Sequence, residues 1–454
     1  MDGSAGLLRL RAGRTAACLG ICLASVLPAA GQPATAATPP GLVVRAALPP
    51  GRINHILLVE LENQGYITTF GTGSPAAYLN GTLRKQGELL QNYYGIGHFS
   101  LDNYIAQVSG QAPTADTQAD CADGGFTFAN VVPGTPDPSV TLNPGQIDGQ
   151  GCVYPGTVQT IASQLSARYP PNRVTHVAPW RAYEQDMGNT PSRDGGVTDP
   201  GGGSDCGHPA PGATDTAEIA TPADQYTSRH NPFVWFHSVI DNPATCDANV
   251  VPLGILGAHG SPAPTGHLAR DLQSEKTTPR FGFITPNLCN DGHDGTCAGP
   301  DSTGGLTGVD RFLRAWMPLI LGSPAYRNGD MLVAITFDEA DVDTSTPAYA
   351  AACCNEQPGP NTHAPGNAGL GRDTAPGGGQ VGMLLLNPRY IAPGTTDTTG
   401  SYNHYSALRS YEDLLGLTKG GADGRGHLGF AAGAGLTPFG TDVFNSAAAV
   451  RARR

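Results

Sequence analysis

A serine hydroxyl lies three residues before an amide side chain in the string Gly97-His98-Phe99-Ser100-Leu101-Asp102-Asn103-Tyr104. Two polar pairs, remote from it in sequence, close apolar runs. Glu62-Asn63 ends Ile56-Leu57-Leu58-Val59-Glu60-Leu61, and Asp338-Glu339 ends Met331-Leu332-Val333-Ala334-Ile335-Thr336-Phe337. Acids at strand ends sit where open α/β sheets place their chemistry. Carboxylate and amide oxygens suit hard or borderline cations. A serine needs a base or a metal to become a nucleophile near neutral pH. The combination points to a metal-activated alkoxide directed at phosphorus.

Each residue has a second reading. Ser100 can be the N-cap of the helix that follows it, and Asn103 a helix-start residue. Asn63 can be a strand-end turn residue that tolerates unusual backbone. Asp338 and Glu339 can be acids favoured by a helix dipole. Glu60 alternates with Glu62 on one strand face, which also fits a solvated edge.

The elements that must position these groups follow from hydrophobic periodicity. Strands are expected at Asn54–Leu61, Arg173–Ala178 running into Trp180-Arg181-Ala182-Tyr183, Arg280–Thr285, Met331–Phe337 and Val381–Leu386. Helices are expected at Tyr78–Gly87, Leu101–Val108, Thr157–Arg168, Val309–Leu321 and Ser406–Leu417. Phe233–Ile240 is apolar enough to be a buried strand or helix. Polar stretches rich in Gly, Pro, Asp and Thr at 112–156, 186–225 and 340–380 read as loop excursions, the last as a lid. Alternating strands and helices predict α/β layers around a mostly parallel sheet.

Of 454 residues, 62 are Gly and 39 Pro, yet 39% are hydrophobic, so a loop-rich chain still has material for a core. The net charge of −12 without a long basic run argues against nucleic-acid binding. Arg9, Arg11 and Arg14 precede an apolar run from Ala16 to Val26 and Ala-rich cleavage candidates near Ala30 and Ala36-Ala37. That pattern predicts a signal peptide over 1–37, and hence export, with no stable membrane insertion. A flexible lead-in at 38–51, a catalytic domain at 52–445 and a tail at 446–454 would follow. Cys18 and Cys22 leave with the leader. Eight cysteines remain, an even number that fits disulfides in an oxidising compartment. Local pairing would join Cys121 to Cys152, Cys206 to Cys246 and Cys289 to Cys297. The adjacent Cys353 and Cys354 can pair with each other or elsewhere.

Seven pieces in order resemble the bacterial phosphoesterase family of the alkaline phosphatase superfamily, which includes secreted acid phosphatases and phospholipases C. They are Glu62-Asn63-Gln64; His98-Phe99-Ser100-Leu101-Asp102-Asn103 with Ser109-Gly110; Trp180-Arg181-Ala182-Tyr183-Glu184; His230-Asn231-Pro232-Phe233; Asn290-Asp291-Gly292-His293-Asp294; Phe337-Asp338-Glu339; and His404-Tyr405-Ser406 with Leu408-Arg409 and Glu412-Asp413. Asp102 stands where the family often has Pro. The resemblance implies a three-layer α/β/α sandwich with a mostly parallel central sheet. It implies a metal site of Glu62, Asn63, Ser100, Asp338 and Glu339, with Ser100 as nucleophile. Asn103 would hold a phosphate oxygen, and His98, His230, His293 and His404 would lie at the site as ligands, phosphate binders or a general acid. The metal could be Ca²⁺, Mg²⁺, Mn²⁺, Fe or Zn²⁺. The substrate would be a small phosphoester or a phospholipid head group, including phosphoinositides. The expected activity is phosphomonoester hydrolysis through a phosphoserine. Phospholipase C-type diester cleavage is the alternative, and a secreted binding protein on an inactive scaffold is a reading of another class.

Overall fold

The computed structural model describes residues 45–121, 126–129, 145–147, 149–169, 178–200, 202–213, 219–255, 266–297, 303–341, 349, 351–359, 377–433 and 435–453. The expected signal peptide, most of the expected lid, and Arg173–His176 with Val177 lie outside the described residues.

Eight strands form one sheet: β1 (His55–Leu61), β2 (Glu88–Leu90), β3 (Trp180–Glu184), β4 (Val250–Pro252), β5 (Phe281–Thr285), β6 (Met331–Phe337), β7 (Met383–Leu386) and β8 (Thr395–Asp397). Their spatial order is β8-β2-β7-β6-β1-β5-β3-β4. The five strands from β6 to β4 run parallel, while β7 is antiparallel to both its neighbours. The fold is the expected α/β sandwich on a mostly parallel sheet.

The two central strands show why. β1 and β6 are buried along their whole length and read as near-continuous aliphatic runs, as a strand covered on both faces requires. They pair in register from His55↔Met331 to Leu61↔Phe337. Equal lengths in register mean that both strands end at the same level, so Glu62 and Asp338 emerge side by side.

Helix α1 (Ser100–Ser109) has all ten of its residues buried, and it packs on α4 (His404–Leu414). Helix α2 (Ile161–Arg168) starts with a capping box in which Thr160 and Ser163 each take the other's backbone N–H. Helix α3 (Gly305–Gly322) buries Leu306, Val309, Leu313, Trp316, Met317 and Ile320 at helical spacing.

Three expectations need correction, and the strand-or-helix choice for Phe233–Ile240 falls to helix. Tyr78–Gly87 is no regular α-helix; it forms a wide turn at Leu79–Leu83 and a tight one at Arg84–Gln86. Phe233–Ile240 is two short helical segments split at Phe236, buried because it lies under the strap at Tyr154. In the lead-in, residues 45–51 are packed: Leu48 is buried, Ala47 donates to Phe439 O at 2.9 Å and Arg45 pairs with Asp413. The tail forms helix α5 (Ala447–Ala452), capped by Ser446 and anchored through buried Ala449. Short apolar or Ala-rich stretches carry too little periodic signal to reveal such docking.

Candidate active site

The junction of β1 and β6 sets the site's frame. Asp338 N donates to Leu61 O at 2.9 Å, and Asn63 N donates to Asp338 Oδ1 at 3.0 Å. Asn63 adopts φ 52, a left-handed conformation that Asn tolerates, and its Nδ2 reaches Glu62 Oε2 at 3.4 Å. The turn reading of Asn63 holds, and the turn sets its side chain beside Glu62.

Ser100 is the first residue of α1, and its hydroxyl donates to Glu62 Oε2 at 2.8 Å. It is not the N-cap; Phe99 occupies that position and makes no side-chain cap. Asp120 takes over part of the capping role from a distance, accepting Leu101 N at Oδ1, 3.0 Å away. The loop before α1 is held by Asn103. Its Oδ1 accepts from Ile96 N (2.8 Å) and Gly97 N (3.2 Å), while its Nδ2 donates toward Gly97 O and Phe99 O. The Asn103 amide thus positions the loop carrying His98, rather than presenting a free donor for phosphate. The loop runs so close to its neighbours that glycine is required. A Cβ at Gly95 would sit 2.4 Å from Asp338 O, and one at Gly97 2.3 Å from Asp102 Oδ2.

The four histidines separate into distinct environments. His98 Nδ1 pairs with Glu339, and its Nε2 lies 2.9 Å from Tyr349 O. Burial pushes the His98 pKa down, but the Glu339 carboxylate more than offsets this and leaves it raised. His404 Nε2 donates to Asp338 O at 2.7 Å, and Tyr93 OH lies 3.0 Å from its Nδ1. With both nitrogens engaged and burial lowering its pKa to about 4, His404 is a neutral brace for Asp338 and offers no free nitrogen. His230 Nδ1 faces Asp291 Oδ2 at 3.2 Å, which leaves its Nε2 lone pair 3.4 Å from Glu62 Oε1. His293 is the most open, with 27% side-chain exposure; its Nδ1 meets Asp294 at 2.7 Å and its Nε2 meets Arg229 Nη2 at 3.2 Å.

Burial and mutual repulsion push the pKa values of these carboxyls above the usual carboxylate range. Glu62 is pushed up by burial, then by Asp338 and Asp291; Asp338 by burial, then by Glu339. Glu62 Oε1, Asp338 Oδ2 and His230 Nε2 are all buried without a hydrogen-bond partner. Lone pairs of Glu62 and His230 facing each other at this range call for a proton or cation between them. Two carboxylates and an imidazole are donor types that a divalent metal accepts, with Asp291 behind His230 as an orienting carboxylate. These ligand atoms are not gathered within 4.8 Å of one another, as those of a formed metal site would be. Glu339 is turned to His98 instead.

The sequence reading missed Asp291, Asp120 and Arg229 as site residues. Asp291 lies inside the Asn290-Asp291-Gly292-His293-Asp294 string and was open to inference there. Asp120 sits in a polar excursion with no motif, whereas Arg229 directly precedes the His230-Asn231-Pro232-Phe233 string; the fold brings Arg229 Nε to 3.8 Å from Asp120 Oδ2.

A second group, Asp199, Asp205 and His267, has ligand atoms within 4.8 Å of one another. Arg181 Nη1 lies 2.7 Å from His267 Nδ1, so the imidazole proton belongs on Nε2, 2.7 Å from Asp199 Oδ2. That tautomer has no lone pair for a metal, and the group is a hydrogen-bonded network.

Fold and site together define an α/β enzyme scaffold with a serine among carboxylates at the ends of parallel strands. Residues 75–418 match the Phosphoesterase family, and the chain belongs to it. The chain is 28% identical over 261 residues to the phosphate-repressible acid phosphatase of Penicillium chrysogenum, covering 57% of this chain and 42% of that protein. It is 24% identical over 259 residues to an acid phosphatase of Aspergillus fumigatus, covering 57% and 39%. The chain thus spans under half the length of these fungal relatives. Among solved structures, a protein in the alkaline phosphatase superfamily from Vibrio parahaemolyticus aligns over 82% of this chain and 68% of its own, with TM-score 0.43 and 11% identity. A likeness that weak decides nothing about chemistry.

Proposed function

We propose that this chain is an exported, metal-dependent phosphomonoesterase that works through a phosphoserine at Ser100. The observation that carries the proposal is the buried Ser100 hydroxyl, 2.8 Å from Glu62 at the start of α1. The acid phosphatase names of the curated relatives favour monoesters over diesters. Disulfides Cys121–Cys152, Cys206–Cys246, Cys289–Cys297 and Cys353–Cys354 fit an oxidising compartment.

Glu62, Asp338 and His230 would hold the ion. A divalent cation supplies Lewis acidity there, lowering the Ser100 pKa and neutralising phosphate oxygens. Ser100 would attack phosphorus in line, its proton passing to Glu62 Oε2, 2.8 Å away, as the Oγ–P bond forms and the P–O bond to the alcohol breaks. The positive end of the α1 dipole favours an anion beside Ser100. Arg229 keeps a guanidinium close to that end of the helix. The departing alkoxide takes its proton from solvent, since His293 Nδ1–H is held by Asp294 and its Nε2 accepts from Arg229. Water next cleaves the phosphoserine, releasing phosphate. His404, Asn103 and Asp120 act by fixing Asp338, the His98 loop and the helix start.

A substrate panel tests this reading: aryl and inositol phosphates against phosphocholine diesters, each with and without chelator. Monoester turnover abolished by chelator and restored by a divalent cation is the expected result. Diester cleavage with negligible monoester turnover would replace it with a phospholipase C-type activity, for which no feature of the described residues argues.

A further inference from the structure

The four disulfides differ in burial and in span. Cys121, Cys152, Cys206, Cys246, Cys289 and Cys297 are all buried, and their bridges cross sequence separations of 31, 40 and 8. Cys353 and Cys354 are partly exposed and pair with each other across a single peptide bond. On the loop-entropy account a disulfide stabilises a fold by closing a loop of the unfolded chain, and a bridge between neighbours closes almost none. Exposed disulfides are also the labile ones in exchange with thiols. Fold stability therefore explains three of the bridges and leaves the fourth without a structural reason.

That fourth bridge touches the supports of the catalytic cluster. Cys353 Sγ lies 3.2 Å from Tyr402 O, two residues before His404, which braces Asp338. Cys354 packs on the small apolar cluster that includes Ile96, Tyr405 and Phe430. Ile96 lies in the loop that carries His98, and its N–H is held by Asn103 Oδ1. The same segment also reaches His98 directly. Ala351 O accepts from Gly379 N at 3.0 Å, and Tyr349 O lies 2.9 Å from His98 Nε2.

The backbone at the bridge is unusual. Cys354 and Asn355 have φ 67 and φ 57, two successive non-glycine residues in the left-handed region. L side chains disfavour that region, and residues held there concentrate at functional sites. Once the bridge opens, no covalent tie keeps residue 354 in that turn.

We propose that Cys353–Cys354 is a thiol–disulfide exchange site for a small dithiol, and that its oxidised form holds the His98 loop in place. One thiolate of the dithiol attacks a bridge sulfur. A mixed disulfide forms, and the other cysteine leaves as a thiolate that takes up a proton. The second thiolate of the dithiol then attacks its own partner sulfur, closing a cyclic disulfide and freeing the second cysteine, which is protonated in turn. The dithiol loses two electrons and the cysteine pair gains them. With the bridge open, Cys354 is free to leave the apolar cluster beneath Ile96, and the His98 loop loosens. A fall in phosphoester turnover on reduction rests on the phosphomonoesterase reading; the exchange and the loosening do not.

Titration of the full chain with dithiothreitol in native buffer tests the proposal. Iodoacetamide trapping with peptide mass spectrometry reads the thiols, beside hydrogen exchange and p-nitrophenyl phosphate turnover. Cys353 and Cys354 should be alkylated together at a dithiothreitol concentration roughly tenfold or more below that needed by the other three bridges. Over the same range, hydrogen exchange in the peptide covering 95–99 should rise about threefold or more, and turnover should fall about threefold or more. Oxidised dithiothreitol should reverse both. A variant carrying Cys353→Ser and Cys354→Ser should show the exchange of the reduced protein and ignore dithiothreitol. All four bridges opening together would overturn the proposal. So would selective opening that leaves exchange at 95–99, or a measurable turnover, unchanged. Selective opening with raised exchange but no turnover in either form would instead overturn the phosphomonoesterase reading and leave the exchange site standing.

Discussion

Replacing Ser100 by alanine separates the catalytic role of the hydroxyl from its structural role. The hydroxyl donates to the Glu62 carboxylate at 2.8 Å in a buried setting, and a hydrogen bond to a charged group contributes about 1.5–3 kcal/mol. Alanine at the first helical position returns roughly 0.5 kcal/mol of helix propensity. The net destabilisation should be about 1–2.5 kcal/mol, a fall in Tm of a few degrees for a domain of this size. Activity should fall far more. Loss of the attacking atom should reduce kcat by about 10⁴-fold or more, equivalent to roughly 5.5 kcal/mol of barrier. The assay is p-nitrophenyl phosphate turnover beside circular-dichroism melting. Acid-quenched mass spectrometry should find a phosphoryl group on the peptide carrying Ser100 in the native protein and none in the variant. A folded Ser100→Ala protein retaining more than about a tenth of native kcat would refute the nucleophile assignment.

Three further outcomes follow from particular contacts. Phe99 is 39% exposed immediately before Ser100, and its ring can meet an aromatic leaving group. Phe99→Ala should raise KM for aryl phosphates about 3–10-fold with little change for glycerol phosphate, a difference worth ~0.5–1.5 kcal/mol. Asp205 is pushed up to about 7 by burial and by Asp199. The folded protein therefore binds the extra proton, and stability is lost as pH rises from about 4 to 7. Asp205→Asn should be relatively more stable at pH 8 than at pH 5, by about 1–2 kcal/mol after solvent screening, and equal melting shifts at both pH values would contradict this. Cys289–Cys297 brackets Asp291 and His293. Replacing both cysteines by serine should cost about 2–3 kcal/mol on the loop-entropy account and raise KM, as read by denaturant titration and steady-state kinetics.

The sheet and the helix that starts at Ser100 were legible because both rest on local signals. β1, β5 and β6 are dense aliphatic runs with polar stops, and α1 begins at a small polar residue shortly after Gly97. The histidines were legible as a set but not as roles. Whether an imidazole braces, pairs or stays open depends on what faces its second nitrogen. For His404 that is Tyr93, 311 residues away in sequence, and for His98 it is Tyr349 O. Asn103 shows the same limit. A helix-start amide looks alike whether it meets a substrate or its own loop, and the backbone N–H groups of Ile96 and Gly97 decide the matter. Asp120 could not be found, since no periodicity or motif marks a residue brought in by a stapled excursion, while Arg229 was hidden only in that its neighbour His230 drew the signal.

The crowding of acids at the ends of β1 and β6 has a consequence for stability. Glu60, Glu62, Asp102, Asp291, Asp338 and Glu339 are all buried. His98 answers Glu339, while Glu62 Oε1, Asp338 Oδ2 and Asp102 Oδ2 have no hydrogen-bond donor. Burying one such charge without compensation is costly, and this cluster buries several on adjacent strands. A cation bound by Glu62, Asp338 and His230 would therefore stabilise the folded chain as well as activate Ser100. By mass action, an ion at a hundred times its Kd contributes about 2.7 kcal/mol. Dialysis against chelator should accordingly lower Tm by several degrees, and one divalent cation should restore it. Glu62→Gln, which removes a ligand charge but keeps the Ser100 contact, should abolish the Tm response while leaving the protein folded. A Tm indifferent to chelator and to every divalent cation would show that protons alone neutralise the cluster.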